Sequence, residues 1–279
     1  MKKNYVLLFV IVLSTIVSAV PYYGWMEAET VTAGTVGLWQ WNASSGNAVN
    51  SVSGGLSLNR TGNMGYTAGK FGNGALSPGG VASTDYWQIG YDNGNGRSMD
   101  AIGPDSSLSA AVWIRPDVLP TGASTRQVIF DKAYSNTPSA GYELYLWYDS
   151  ISSNIYLKAA IGTTAGTSVL QNSVISLVSG EWTHLALVWD ADADTLMMYQ
   201  DGEVLGSTVS AGSVYAPSVT GSTNPQLLRV GNRIGSSYGT FNGAIDDLKI
   251  NDIAIQYAVP EPATIALITL GLTLIRKRK

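Results

Sequence analysis

The sequence predicts an all-β protein, two antiparallel sheets packed as a sandwich. Three observations predict it. Apolar and polar side chains alternate at period 2 in segment after segment of the middle of the chain. Clusters rich in Gly, Ser, Thr and Asn separate those segments at intervals of roughly 8–15 residues, the rhythm of a sandwich rather than of strands joined by helices. The chain has eight Trp and 15 Tyr, side chains that favour pleated surfaces, and no amphipathic helix in that region.

The elements follow in order. SAAVWIRPDV predicts a strand over 110–115, ended by Pro116. RQVIFDKA predicts another over 127–131. GYELYLWYDS is the clearest: Tyr142, Leu144, Leu146 and Tyr148 share one face, and Glu143, Tyr145 and Trp147 share the other. NIYLKAAIG follows a turn at Ser152-Ser153-Asn154, so the two form a hairpin. WTHLALVWD and TLMMYQ make the next pair, and Asp201-Gly202 is a tight-turn dipeptide leading into EVLGST. QLLRVGN and GAIDDLKIND close the body. Residues 42–55 and 91–98 read as loops, and no internal repeat is present.

The ends differ from the middle. MKKNYVLLFVIVLSTIVSA has two lysines, an apolar run and small residues at Val17-Ser18-Ala19, the three-part pattern of a signal peptide over 1–19. The last segment, 259–279, holds an uncharged, mostly apolar run over 263–275 and then Arg276, Lys277, Arg278 and Lys279. That run is short for a span of about 20 residues, and its basic end would sit on the cytoplasmic side. It predicts a short C-terminal transmembrane helix acting as a sorting signal. Residues 20–258 form the exported body, one domain in length.

The body is acidic. Setting aside the six basic residues of the two ends and Glu261 leaves ten basic against nineteen acidic side chains, a net charge near −9. Such a surface repels nucleic acid and tolerates cations such as calcium. The absence of cysteine excludes disulfides, thiolate metal sites and cysteine nucleophiles.

Five blocks, in order, resemble a known family: GLWQWNASSGNAVNSVSGG, GKFGNGALSPGGVASTDYWQIG, SAAVWIRPD, GEWTHLALVWDADADTLMMYQDGEVLGS and FNGAIDDLKI. Together they look like a laminin-G-like, concanavalin A-like jelly-roll domain. The resemblance implies a jelly roll of two antiparallel sheets, of the kind found in bacterial surface proteins, lectin-like modules and accessory domains of larger enzymes. Asn42 and Asn50 stand where many members carry acidic residues. In the tail, Val259, Pro260, Glu261 and Pro262 resemble the core of a PEP-CTERM sorting signal. That likeness implies a Gram-negative cell, an exosortase as partner after signal peptidase, and release or attachment at the cell surface or in a biofilm matrix.

Candidate chemistry is sparse. His184 is the only histidine and lies on a strand with Trp182, Ala186 and Val188, the setting of a structural residue. Jelly-roll glycosidases need two carboxylates flanking the sugar, and no Glu-x-Asp-x-x-Glu run is present. Glu143 with Tyr145 and Trp147 forms a candidate sugar-contacting strip, because aromatic faces stack on the C–H side of pyranose rings. Asp190, Asp192 and Asp194 present alternating carboxylates, but an EF-hand would need Gly and Glu where Thr195 and Asp201 stand, so a turn is expected. Asp85, Asp246 and Asp247 form a second calcium candidate. Asp246 is expected on the interior face with Ala244 and Leu248, where a carboxylate needs a partner: Arg115, Lys249, main-chain amides or calcium.

These observations predict a non-catalytic exported module for carbohydrate or protein binding, sorted by an exosortase. The alternatives are a polysaccharide-cleaving enzyme with a divergent site around Glu143 and a purely structural matrix protein.

Overall fold

The computed structural model describes residues 27–80, 84–89, 102, 105–122, 126–133, 140–210, 212–216, 227–233 and 239–257. The signal peptide, the sorting motif Val259–Pro262 and the loop at 91–98 lie outside the described residues. Within them the chain forms β1 (Thr35–Trp39), β2 (Leu58–Thr61), β3 (Gly65–Ala68), β4 (Asn73–Gly80), β5 (Tyr86–Ile89), β6 (Leu108–Pro116), β7 (Arg126–Asp131), β8 (Tyr142–Asp149), β9 (Asn154–Gly162), β10 (Ser168–Val174), β11 (Thr183–Asp190), β12 (Thr195–Gln200), β13 (Glu203–Val209), β14 (Arg229–Val230) and β15 (Thr240–Asn251). No helix occurs among the described residues.

The pairings resolve into two layers. The first runs β3-β4-β15-β6-β11-β12-β13, with β1 beside the second half of β15. The second runs β2-β5-β14-β7-β8-β9-β10. They touch through one parallel pair, Thr240 with Val128, where β15 enters the first layer. Across the opposite edge the Thr208 hydroxyl donates to the Leu170 carbonyl, 3.1 Å away. The inward side chains of both layers make one core. Leu185, Leu187 and Trp189 of β11 face Tyr142, Leu144 and Leu146 of β8, and all are buried. Period-2 alternation puts this set on one face of each strand, so a one-residue slip would expel it. This is the jelly-roll sandwich that the sequence predicted.

The strands with strong alternation fall where the sequence places them. β2, β3, β4 and β10 (LNRT, GYTA, NGALSPGG, SVLQNSV) have no strand signature of their own. They are glycine-rich or polar, and they are strands because β5, β15 and β9 supply their ladder partners. Asp201 and Gly202 have φ of 49° and 81°, the primed turn that fits strand twist.

One expectation is corrected. Asp246 does not face the interior with Leu248. The register of β15 shifts between Asp246 and Lys249, with Asp247 at φ 47°. This bulge admits extra residues and resets the alternation. Ile245, Leu248 and Ile250 then reach the core. Asp246 pairs with Trp113, on the outer face of the first layer.

Candidate functional site

β8 places Glu143, Tyr145 and Trp147 on the outer face of the second layer, opposite to its core-facing residues, as the alternation predicts. Register then names their neighbours, since directly paired residues share a face. On β9, Tyr156 stands opposite Trp147 and Lys158 opposite Tyr145. On β7, Arg126 stands opposite Trp147 and, past a bulge, Asp131 stands opposite Glu143. Asp131 in turn pairs with Arg229 of β14, and Arg229 with Gln88 of β5.

The contacts are close. The Lys158 ammonium lies 3.5 Å from the Trp147 ring centroid. Trp147 and Tyr156 are 5.8 Å apart, tilted by 44°. The Arg126 guanidinium lies 4.2 Å over the Tyr145 ring and donates to its hydroxyl. Arg229 lies 3.9 Å over Tyr86, and its Nε donates to the Gln88 side-chain Oε1 at 2.7 Å.

Exposure grades along this face. Asp131 and Glu143 are fully buried, as is Arg233, whose guanidinium nitrogen is 3.8 Å from a Glu143 oxygen. Trp147, Tyr156, Lys158 and Arg126 are half-buried. The carboxylate end is closed and the tryptophan end is open. Burial, reinforced by Asp131, pushes the Glu143 carboxyl up to about 8 against the pull of Arg233 and Arg126. Among the described residues neither Glu143 oxygen has a hydrogen-bond partner. Burial, and then the Arg126 charge, lowers Lys158.

The three aspartates expected to meet do not form one site. Asp85 belongs to the second layer, where its carboxylate accepts from the Asn63 main-chain and side-chain nitrogens. The Asp246 carboxylate accepts from the amides of Lys70 at 2.9 Å, Phe71 at 3.1 Å and Asp247 at 2.9 Å. Asp247 accepts from the Glu29 amide at 2.8 Å. A Cβ on Gly69 would sit 2.5 Å from an Asp246 oxygen, so only glycine admits this approach. The GKFG and AIDD blocks are thus two halves of one clasp, far apart in sequence. Burial pushes Asp246 up to about 7. Among the described residues no group of three or more His, Asp or Glu is arranged to hold a metal.

His184 is buried beside Trp113 and Tyr257, with ring centroids 5.3 and 5.6 Å away. Burial lowers it to about 3, so it is neutral at physiological pH. The terminal segments of the body cover this face: Glu29 pairs with Lys249 at 3.2 Å, and Tyr257 is buried against Tyr199. Asp190 accepts from the amides of Asp192 and Ala193, making a turn as expected.

Sequence reasoning missed Tyr156, Lys158, Arg126, Asp131, Arg229 and Arg233. The first two were within reach, because the hairpin after Asp149 sets them opposite Trp147 and Tyr145. The others join through long-range pairing that no local pattern announces.

The sequence model of the concanavalin A-like lectin/glucanases superfamily matches residues 83–258. Among solved structures, domain 4 of an extracellular arabinanase from Geobacillus stearothermophilus, in complex with arabinotriose, is 18% identical, with a TM-score of 0.51, 80% of this chain covered and 94% of that chain. Botulinum neurotoxin type C, whose cell entry depends on interaction with two ganglioside molecules, is 14% identical with a TM-score of 0.54. The botulinum neurotoxin serotype D binding domain is 14% identical with a TM-score of 0.53. Each toxin match covers 80% of this chain and 49% of the other, so the chain spans about half their length. At these identities the likeness is one of fold. No curated protein matches the chain.

Proposed function

The chain belongs to the concanavalin A-like lectin/glucanases superfamily, and from that premise we propose that it is an exported, non-catalytic carbohydrate-binding module. Its ligand sits on the outer face of the second layer, at the solvent-exposed turn end of the β8–β9 hairpin. The observation that carries this reading is the half-exposed Trp147–Tyr156 pair on the outer sheet face, with Lys158 and Arg126 beside it. An aromatic platform with convergent polar groups suits the two-sided chemistry of a sugar, apolar on its C–H face and hydroxylated at its edges. The arabinanase domain of similar fold, solved with arabinotriose, supports sugar binding by this architecture.

The non-catalytic part of the reading rests on closure. Asp131 and Glu143 face each other across two strands, yet both are sealed from solvent beside Arg233. A glycosidase needs both carboxyls at the scissile bond. Calcium at Asp85, Asp246 and Asp247 is not part of the proposal, since among the described residues the three do not gather into one metal-holding group and main-chain amides already donate to an oxygen of each. Export rests on the two terminal segments: signal peptidase removes the first, and an exosortase recognises Val259, Pro260, Glu261 and Pro262 in the second. The mature protein then acts at the surface or in the matrix of a Gram-negative cell.

A panel of soluble and insoluble polysaccharides, titrated with the protein and with Trp147→Ala, tests the binding claim. Saturable binding that drops at least about tenfold in the variant is expected, as for truncation of a central aromatic anchor. Failure of every glycan to bind would overturn it. Release of reducing ends from any of them would overturn the non-catalytic claim. Deletion of residues 259–279 is expected to mis-sort the protein, and unchanged localisation would refute the sorting claim.

A further inference from the structure

Ladder register arranges the outer face of the second layer in ranks that cross the strands. Paired residues share a face. Arg126 of β7, Trp147 of β8, Tyr156 of β9 and Val174 of β10 are paired in succession, so they form one rank. Trp147 and Tyr156 are half-buried, and Val174 is 52% exposed. Neighbouring strands lie about 4.8 Å apart, which makes the rank about 14 Å long. β10 is the last strand of the layer among the described residues, so the rank ends at an open sheet edge.

The ranks on either side of it are polar. Toward the hairpin turn stand Asp149 and Asn154, paired with each other. On the other side stand Tyr145, Lys158 and Asn172, again paired in succession, with Asn172 exposed. Ranks on one face are about 6.8 Å apart. One rank further along the strands the face closes, because Glu143 and Ala160 are buried. The accessible apolar surface is therefore continuous across the strands and interrupted along them.

We infer that this face takes an internal stretch of a linear glycan, laid across the strands from β8 to β10 and held along roughly three sugar residues, the length that the strand spacing allows. This inference rests on the proposed carbohydrate-binding function and adds the form of the ligand. The apolar rank suits the C–H faces of successive residues, and the polar ranks on both sides suit the hydroxyls along the two edges of the chain. A site for a chain end needs a wall that stops the chain. At β10 the sheet edge presents Val174 to solvent instead, and a bound chain runs on past it. Trp147 and Tyr156 hold the centre of the stretch, and Val174 adds apolar contact at its outer end.

The test is a length series. The exported protein is titrated calorimetrically with linear arabinan, mixed-linkage β-glucan and glucomannan, each as polymer and as oligosaccharides from the disaccharide to the hexasaccharide. In at least one series the affinity is expected to rise about tenfold or more from disaccharide to tetrasaccharide and then level off. The polymer of that series is expected to take several protein molecules per chain. Val174→Ser is expected to weaken the hexasaccharide several-fold more than the disaccharide, whereas Trp147→Ala weakens every length. Val174 is exposed, and near-ultraviolet circular dichroism checks that the variant folds. A disaccharide bound as tightly as the hexasaccharide, a single protein per polymer chain, or an equal effect of Val174→Ser on both lengths overturns the inference while leaving the glycan-binding function standing. Binding of none of the three series overturns the inference, and the wider panel then decides the function itself. Sedimentation that shows dimers lost in Val174→Ser, with no glycan bound, would make the rank a contact between copies and overturn it as well.

Discussion

Both sheets carry an outer face crowded with charged and aromatic side chains, but the two faces are finished differently. On the first layer, Asp246, Asp247, Lys249, His184 and Trp113 are all buried. The segments before β1 and after β15 lie over them, bringing Glu29 to Lys249 and Tyr257 to His184. On the second layer, Trp147, Tyr156, Lys158 and Arg126 stay half-exposed, with cations resting on rings. The residue types are nearly the same. Cover separates the two: the first face is a fastening for the ends of the domain, and the second is the face on which we propose a ligand. A cluster of acids and aromatics is therefore not a site by composition alone.

The hardest way to break this comparison is to remove a charge from the fastened face. Lys249→Met leaves the Glu29 carboxyl buried without its ion pair. Losing one partner of a buried pair costs about 3–5 kcal/mol. Urea denaturation at pH 8 is expected to show a loss of at least about 3 kcal/mol. A change under about 1 kcal/mol would mean that the pair does not hold the N-terminal segment down. Tyr257→Ala attacks the other fastening. Deleting a fully buried aromatic costs about 3 kcal/mol or more, and proteolysis near the end of the body is expected to rise with it.

Much of this contrast was legible in the sequence, but unevenly. The strip Glu143, Tyr145, Trp147 follows from period 2 alone, because β8 is long and regular. The turn at Asp201-Gly202 is equally local. The rest depends on pairing between distant strands. Arg126 reaches Trp147 only because β7 and β8 pair, and a bulge between Val128 and Phe130 is needed to bring Asp131 opposite Glu143. The bulge in β15 is what defeated the placement of Asp246: alternation is a reliable guide until one extra residue resets it. Strands β2, β3, β4 and β10 were illegible because partners, not their own side chains, make them strands. Nothing in the sequence says which face the ends will cover.

Acidity sharpens the comparison further. Glu29 and Asp246 on one face are pushed up to about 7, and Glu143 on the other to about 8. In the unfolded chain these carboxyls lose their protons near pH 4. Between those values the folded protein holds more protons than the unfolded one, so stability falls as pH rises. It is full below about pH 4 for these groups and levels off above about pH 8, at up to about 1.4 kcal/mol per pH unit for each group. Glu143→Gln removes one such group. The variant is expected to gain on the parent steadily from pH 5 to pH 8 in melting temperature. A variant less stable than the parent at pH 8 would show instead that Glu143 is ionised and held by Arg233.

The smallest effect draws the sharpest line. Lys158 and Lys249 are the same residue type, each on an outer sheet face and each beside aromatic or acidic groups. Lys249 is fully buried and Lys158 is not. Lys158→Gln loses a half-exposed cation–π contact and an attraction to Asp149, and relieves a repulsion with Arg126, small terms of opposite sign. Its unfolding free energy is therefore expected to stay within about 0.5 kcal/mol of the parent, while glycan binding at the proposed face changes. Lys249→Met is expected to do the reverse, losing stability and, at temperatures where it remains folded, keeping the parent's glycan binding. If Lys158→Gln destabilised the protein as much as Lys249→Met, the second face would be a fastening too, and the distinction between the two sheets would fall.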